Sequence, residues 1–199
     1  MGERQDQLTV RLFGAPEIRI ADQPLRLHHQ KARALLYYLA ASGRPSTRDY
    51  LAGLLWSETL EGNARHSLRS SLYHMRQAFH AQGSNEILLG ASEQIALHPA
   101  ALVCDVAAFR QLVAEGTEEA LLAALKLYQG PFLQGFTVAD APLFEEWQRF
   151  EADTLASMYL GVLRTLAACA QERQEWQRAI MYTQRIIQLE PWRKRRSST

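Results

Sequence analysis

The segment from Asn63 to Phe79 constrains the fold more than any other part of this chain of 199 residues. Its large apolar residues recur every three or four positions, which is the spacing of one buried helical face. They are Leu68, Leu72, Met75 and Phe79. At roughly 100° per residue, three arginines fall together beside that face. They are Arg65, Arg69 and Arg76. The pattern predicts a helix packed on a core, with one exposed cationic flank.

Two short strands and a helix are predicted before this segment. Apolar and polar residues alternate over 8–12, Gly14-Ala15-Pro16 interrupts the alternation, and it resumes over 18–20. A period of two is typical of antiparallel strands, and Gly and Pro mark the turns between them. From Gln30 the apolar period becomes helical, and Ser42-Gly43 ends that first helix.

A second helix and a hairpin complete the first hundred residues. Ser46 and Asp49 have the spacing of a capping box, so we expect a helix to begin there and to end near Trp56. After the cationic helix, apolar residues over 87–89 and 94–97 flank a small turn, which is the pattern of a β-hairpin. Strands, three helices and a hairpin in this order predict a winged helix-turn-helix.

The second half of the chain is helical almost throughout. We therefore predict a mainly α fold with a small β component, divided into a winged helix-turn-helix over 1–100 and a helical domain over 101–199. A long helix running toward Ala170 and another starting near Glu175 are expected to pack as a helical hairpin, similar to a tetratricopeptide unit. The expected inward residues are Phe144, Trp147, Phe150, Leu155 and Met158, and Trp147, Trp176 and Trp192 are expected in the core.

Composition narrows the class of protein. Hydrophobic residues make up 47% of the chain and the net charge is +1. This hydrophobic content is enough to form a buried core. A net charge near zero argues against a protein that coats nucleic acid through bulk charge, but it is compatible with a local basic face. Cys104 and Cys169 belong to no metal or disulfide pattern. We expect a cytoplasmic protein with no membrane segment, no cofactor and no metal; His28-His29 lacks a partner at ligand spacing.

No enzyme signature is present in the sequence. Gly130-Pro131 lacks the lysine of a phosphate loop, no nucleophile elbow occurs, and the carboxylates of the second half are scattered. The sequence thus predicts a binding protein without catalytic residues.

The chain resembles the bacterial transcriptional activators of the Streptomyces antibiotic regulatory protein type. The residues that carry this resemblance are Leu54-Leu55-Trp56, Asn63-Ala64-Arg65, Leu68, Leu72, Arg76, Leu125, Tyr128 to Leu133, Glu146-Trp147 and Leu189-Glu190-Pro191-Trp192. In that family an OmpR-type winged helix precedes a tetratricopeptide-like bacterial transcriptional activator domain. The resemblance implies activation of transcription through RNA polymerase. Family members continue with further helices after the Glu-Pro-Trp motif, so we expect this chain to be a fragment or shortened form.

The cationic helix is the candidate for contact with promoter DNA. A major groove admits one α-helix, and a guanine edge presents two acceptors that match an arginine fork. Arg69 is the first choice for a base contact, and Arg76 is a candidate for the phosphate backbone. The remaining candidates on this helix are Arg65, His66, Ser70 and Tyr73. The alternative is that the arginines only cover the edge of the apolar stripe with their long side chains.

Further contacts are predicted around that helix. Arg44 and Arg48 flank the start of the second helix, whose amides favour an anion. The turn from Ser92 to Gln94 could touch the minor groove, although Glu93 would repel phosphate. In the connector Ser57–Gly62, the resemblance implies contact with RNA polymerase, for which Glu58 and Glu61 are candidates.

Two functions remain open from the sequence. One is a sequence-specific regulator that binds double-stranded DNA, with a helical domain that could form a homodimer. The other is a protein-interaction scaffold whose winged helix no longer binds DNA. The operator, the target genes and any effector ligand do not follow from the residues.

Overall fold

The computed structural model describes residues 7–84, 86–90 and 93–196, and for 190–196 only the backbone. The strands are β1 (Leu8–Arg11), β2 (Glu17–Ile20), β3 (Gln23–Pro24), β4 (Ser46–Thr47), β5 (Leu88–Gly90), β6 (Gln94–Leu97) and β7 (Leu102–Cys104). The α-helices are α1 (Gln30–Ser42), α2 (Arg48–Trp56), α3 (Glu61–Ala81), α4 (Asp105–Glu115), α5 (Glu118–Leu127), α6 (Pro142–Glu172) and α7 (Trp176–Arg196). The fold is therefore mainly helical with a small sheet component, as the sequence predicts. None of the described helices is long and apolar enough to cross a membrane.

The short strands before, between and after the first three helices form two small sheets. One sheet has the order β3-β2-β1-β7, in which β1 is antiparallel to β2 and parallel to β7. The other has the order β4-β6-β5, with antiparallel pairs. The predicted hairpin β5–β6 is confirmed, whereas β4 and β7 are not apparent from the sequence because two or three residues carry no measurable period.

The start of α2 differs from the prediction. Thr47, not Ser46, caps the helix, since its hydroxyl accepts a hydrogen bond from the backbone N–H of Tyr50 at 3.3 Å. Ser46 is instead buried in β4, paired with Ile95 of β6. The capping-box prediction for Ser46 is therefore wrong by one residue, because Ser46 is buried in β4 whereas Thr47, the other residue of that strand, is exposed at the start of the helix.

The segment predicted as a domain boundary is joined to the first sheet. Strand β7 pairs with β1, and the Asp105 carboxylate at the start of α4 accepts hydrogen bonds from the backbone N–H groups of Leu12 (2.9 Å), Phe13 (3.0 Å) and Val106 (2.8 Å). Burial raises the pKa of the Asp105 carboxyl, although these three hydrogen bonds oppose the rise. The predicted division at residue 100 stays a prediction.

A second strip of backbone contacts joins the halves. Gly14 donates its N–H to the carbonyl of Pro131 at 3.0 Å, and Leu133 donates to the carbonyl of Leu12 at 2.8 Å. A Cβ at Gly130 would lie 3.1 Å from the Cα of Gly14, so this close approach favours glycine there. The Gly130–Gly135 segment thereby pairs with the residues that follow β1, including an isolated antiparallel bridge between Phe13 and Phe132.

In the second half, α6 and α7 pack as a helical hairpin, as predicted. Phe144 and Leu155 are buried, and Trp147 and Met158 are half-buried against the core. Phe150 and Trp176, however, are 71% and 58% exposed, so their predicted core placement is wrong. The side chain of Trp192 lies outside the described residues. At roughly 100° per residue, Phe150 lies about 140° around α6 from the buried Leu155 and so faces solvent, and Trp176 is the first residue of α7.

Candidate nucleic-acid interface

Helix α3 presents a polar face to solvent and an apolar face to the core. Leu68, Leu72, Met75 and Phe79 are all almost fully buried, as predicted. Six predicted contact residues are exposed: Arg65, His66, Arg69, Ser70, Tyr73 and Arg76. The helix runs from Glu61 to Ala81, longer at both ends than the predicted segment. The predicted cationic flank thus faces outward.

Arg65 is held by two carboxylates. Its Nε donates to the Asp49 carboxylate at 3.0 Å, and a terminal guanidinium nitrogen lies 2.8 Å from the carboxylate of Glu61. Asp49 comes from the first turn of α2 and Glu61 from the first turn of α3. Sequence reasoning did not find this pairing, because Asp49 and Arg65 are 16 residues apart. The Arg65 side chain remains 53% exposed.

A groove of about 450 Å³ lies between the start of α2, α3 and the hairpin. Its lining combines cationic and acidic side chains: Thr47, Arg48, Asp49, Arg65, Leu68, Arg69 and Glu93. The backbone N–H of Arg48 donates to the carbonyl of Glu93 at 3.0 Å, which ties the hairpin to α2. Arg48 and Arg69, both predicted DNA contacts, therefore share one groove with the acidic Glu93.

Arg76 lies against the hairpin. A Cβ built on Gly90 would be 2.8 Å from a terminal guanidinium nitrogen of Arg76. A larger residue at position 90 would require the flexible end of Arg76 to shift, so Gly90 leaves room for this cation beside β5. Residues 91 and 92 of the hairpin turn, which include the predicted minor-groove contact Ser92, lie outside the described residues.

The remaining candidates lie at the edges of this surface. Arg44 is exposed between α1 and β4. Glu58 is exposed in the connector, which spans only 57–60 because α3 already begins at Glu61. Glu61 was predicted as a connector residue and lies instead in α3, with its carboxylate on Arg65. Leu60, between the two, is 81% exposed.

The connector lies close to the second half of the chain. The Lys31 ammonium donates to the carbonyl of Asp140 at 2.9 Å and lies 5.5 Å from the ring centroid of Trp56. Burial lowers the pKa of Lys31, although the charges of Asp140 and Glu58 oppose this. Lys31 thus donates a hydrogen bond to the loop before α6 and also interacts electrostatically with Glu58 of the connector.

Fold and surface together define a winged helix-turn-helix with an exposed cationic third helix, followed by a helical domain. Residues 104–198 match the family model described as the bacterial transcriptional activator domain. This match supports the resemblance drawn from the second half of the sequence.

The structure is similar to that of Mycobacterium tuberculosis EmbR in complex with a low-affinity phosphopeptide, with a TM-score of 0.57 and 21% sequence identity. The similarity covers 88% of this chain and 54% of that one, so the chain spans about half the length of EmbR. At this identity the likeness shows the fold alone. No curated protein matches the chain by sequence.

Proposed function

We propose that this chain is a sequence-specific DNA-binding regulator of transcription, which acts by binding and not by catalysis. The observation that carries the proposal is the exposed face of α3, where Arg69 stands between Arg65 and Arg76 on a helix backed by a buried apolar stripe. A helix presented in this way fits a major groove, and guanidinium groups suit both guanine edges and phosphates. Arg48 and Arg44 supply further positive charge beside it.

We propose further that the regulator is an activator that contacts RNA polymerase. The match of residues 104–198 to the bacterial transcriptional activator domain supports this role. Glu58 and the exposed Leu60 in the connector are available for such a contact, whereas Glu61 is engaged by Arg65. The OmpR type of the winged helix, a homodimer and action in the bacterial cytoplasm belong to the same proposal.

A protein-interaction scaffold is the second candidate, and one observation favours it. Helix α7 exposes Trp176, Ile180, Met181 and Ile187, which are between 49% and 61% accessible. Exposed apolar residues on one helix are typical of a surface that packs against protein. A scaffold would bind no duplex at all, so DNA binding separates the two candidates.

The test is selection of bound sites from random duplex DNA, followed by fluorescence anisotropy on the selected site. We expect Arg69→Ala to weaken binding by about 1 to 3 kcal/mol and to relax base preference. Arg76→Ala should instead weaken all duplexes alike and lower the salt slope by about one unit.

Arg149→Ala is the matched control, since Arg149 is an exposed arginine on α6 and does not belong to α3 or to the lining of the adjoining groove. It should leave both affinity and salt slope unchanged. Equal affinity of wild type and Arg69→Ala for every duplex would contradict the role of Arg69, and the absence of any selected site would favour the scaffold.

A further inference from the structure

A cationic pocket lies away from the proposed DNA-binding surface. It has a volume of about 340 Å³ and is formed by the start of β2, the extended segment before α1, and α1 itself. Its lining residues are Pro16, Ile18, Leu25, Arg26, Leu27, His28, Arg33 and Tyr37. Among these described residues there are two arginines and a histidine but no carboxylate, so the pocket carries positive charge without an internal counter-ion.

The sequence places the charges and the apolar groups on different sides of the pocket. Along the extended segment, Leu25 and Leu27 are buried whereas Arg26 and His28 are exposed, as expected for alternating side chains. The first pair therefore faces the core and the second pair lies at the rim. Arg33 reaches the same pocket from the second turn of α1.

Arg33 is the residue that points to a ligand. Its Nε is buried and has no hydrogen-bond acceptor among residues 7–84, 86–90 and 93–196. Its guanidinium lies 5.5 Å from the ring centroid of Phe136, which supplies a weak cation–π contact but no acceptor. Buried polar groups in proteins almost always have a partner, so an unpaired guanidinium N–H in a pocket calls for one from outside.

The pocket is separate from the cationic flank of α3. His29, which follows the rim residue His28, stacks on His74 of α3 with ring centroids 4.1 Å apart. Position 74 is roughly 180° around the helix from position 65. An anion in the pocket therefore approaches from the side of α3 opposite Arg65, where a duplex on the cationic flank would not reach.

We infer that this pocket binds a small organic carboxylate with an apolar body. The planar fork of Arg33 matches a carboxylate, which would supply the missing acceptor at Nε when the guanidinium turns from Phe136 toward the pocket, since Nε is buried in the unliganded arrangement. Ile18, Leu25 and Leu27 would contact the apolar body, Arg26 would add positive charge at the entrance, and the His28 ring would offer a hydrogen bond there. A volume of this size is at the lower end for small-molecule sites, which suits a compact ligand.

The test is calorimetric titration of the full chain with hexanoate, with hexanamide and inorganic phosphate as the other two probes. We expect saturable binding of hexanoate to one site, and binding of hexanamide at least about tenfold weaker, because the amide lacks the charge that Arg33 pairs with. Phosphate should bind more weakly than hexanoate, since it has no apolar body. Phosphate binding as tightly as hexanoate would overturn the inference in favour of a simple anion site.

Two variants keep the result interpretable. Arg33→Met retains the aliphatic stem and should lose about tenfold or more in hexanoate affinity, while Arg149→Met, at an exposed site on α6, should bind as wild type does. If Arg33→Met fails to fold, Arg33→Lys preserves the charge, lacks Nε and should still weaken hexanoate binding. Unchanged hexanoate affinity in the folded Arg33 variant, or no saturable binding to wild type in the millimolar range, would overturn the inference.

Measuring DNA binding of the same variant distinguishes a failure of the ligand-binding inference from a failure of the proposed DNA-binding function. Without hexanoate, Arg33→Met should bind the selected duplex as wild type does, because Arg33 is not on the cationic flank. A large loss of DNA affinity in this folded variant would mean that Arg33 serves the duplex and not a separate ligand.

Discussion

At the scale of single residues, the acidic neighbours of Arg65 determine how its guanidinium is oriented and which of its donors they occupy. Two carboxylates, from Asp49 and Glu61, hold its guanidinium and occupy donors that could otherwise meet DNA. An arginine held in this way is oriented before it binds, and ordering it on binding costs less entropy. The same carboxylates repel phosphate, so they lower affinity for any duplex while they keep Arg65 in one position.

This arrangement predicts the effect of Asp49→Asn. The substitution removes one negative charge beside the proposed interface and loosens Arg65. Affinity for an unrelated duplex should rise up to about fivefold, in keeping with the modest strength of exposed ion pairs, and the ratio of selected to unrelated duplex affinity should fall. Anisotropy titrations with both duplexes at fixed salt measure the two changes together.

Glu119→Gln provides the control for that experiment. Glu119, like Asp49, is an exposed acidic residue in the first turn of a helix, here α5, so its loss changes net charge and helix-end electrostatics equally. It should not alter either duplex affinity. A matching rise in the control would show that net charge alone, and not the position of Asp49, causes the effect.

At the scale of elements, the start of α2 shows where local pattern and long-range pairing compete. Ser46 and Thr47 can both cap a helix, and the spacing to Asp49 favours Ser46. Both residues pair with β6, Ser46 with Ile95 and Thr47 with Gln94, but Ser46 is buried whereas the exposed Thr47 supplies the cap. The choice depends on packing against the hairpin, which no local pattern in the sequence reports.

Thr47→Ala should therefore destabilise the protein by about 1 kcal/mol, because the backbone N–H of Tyr50 loses its acceptor. Thr47→Ser retains a hydroxyl and should stay close to wild type. Urea unfolding followed by circular dichroism measures both. If Thr47→Ala has no effect, water supplies an equivalent acceptor at this exposed position and the cap contributes nothing.

The difference between local sequence pattern and long-range pairing also explains how much of the fold and of the site could be predicted. The apolar period of α3 lies within one helix, so its buried stripe and exposed arginines are predictable from neighbouring residues. The pairing of Arg65 with Asp49, and the position of Arg76 on Gly90, join different elements and cannot be inferred from periodicity. Phe150 was misplaced although it lies roughly 140° around α6 from Leu155 at 100° per residue, a spacing that puts the two residues on different sides of the helix.

At the scale of the whole molecule, the two predicted domains share contacts that the sequence did not indicate. Strand β7 and Asp105 attach the start of the helical half to β1, and the segment near Gly130 attaches again beside Gly14. The buried residues form one continuous cluster that includes both halves. We therefore expect events in the helical half to reach the DNA-binding surface through packed structure and not through a flexible linker.

Arg110 makes one of the contacts between the two halves, and its contribution to stability can be measured. It lies on α4, donates to the carbonyl of Ala41 at the end of α1 at 2.9 Å, and forms an ion pair with Glu151 of α6. The Glu151 side chain is only 10% exposed and that of Arg110 is 33% exposed. Glu151→Gln should lower the free energy of unfolding by about 2 kcal/mol, because a partly buried guanidinium loses its charged partner.

A double-mutant cycle with Arg110→Met tests this, with unfolding in urea as the measurement. If the two side chains act as one contact between the helices, the double variant should be little less stable than either single variant, with a coupling of about 1 to 2 kcal/mol. The more exposed pair Arg173–Glu118, at 2.6 Å and with side chains 57% and 23% exposed, serves as the control, and Arg173→Ala should cost less than about 1 kcal/mol. Additive losses for Arg110 and Glu151 would mean that each residue stabilises its own helix separately, and that the ion pair does not hold Arg110 in place for its hydrogen bond to Ala41 in the first half.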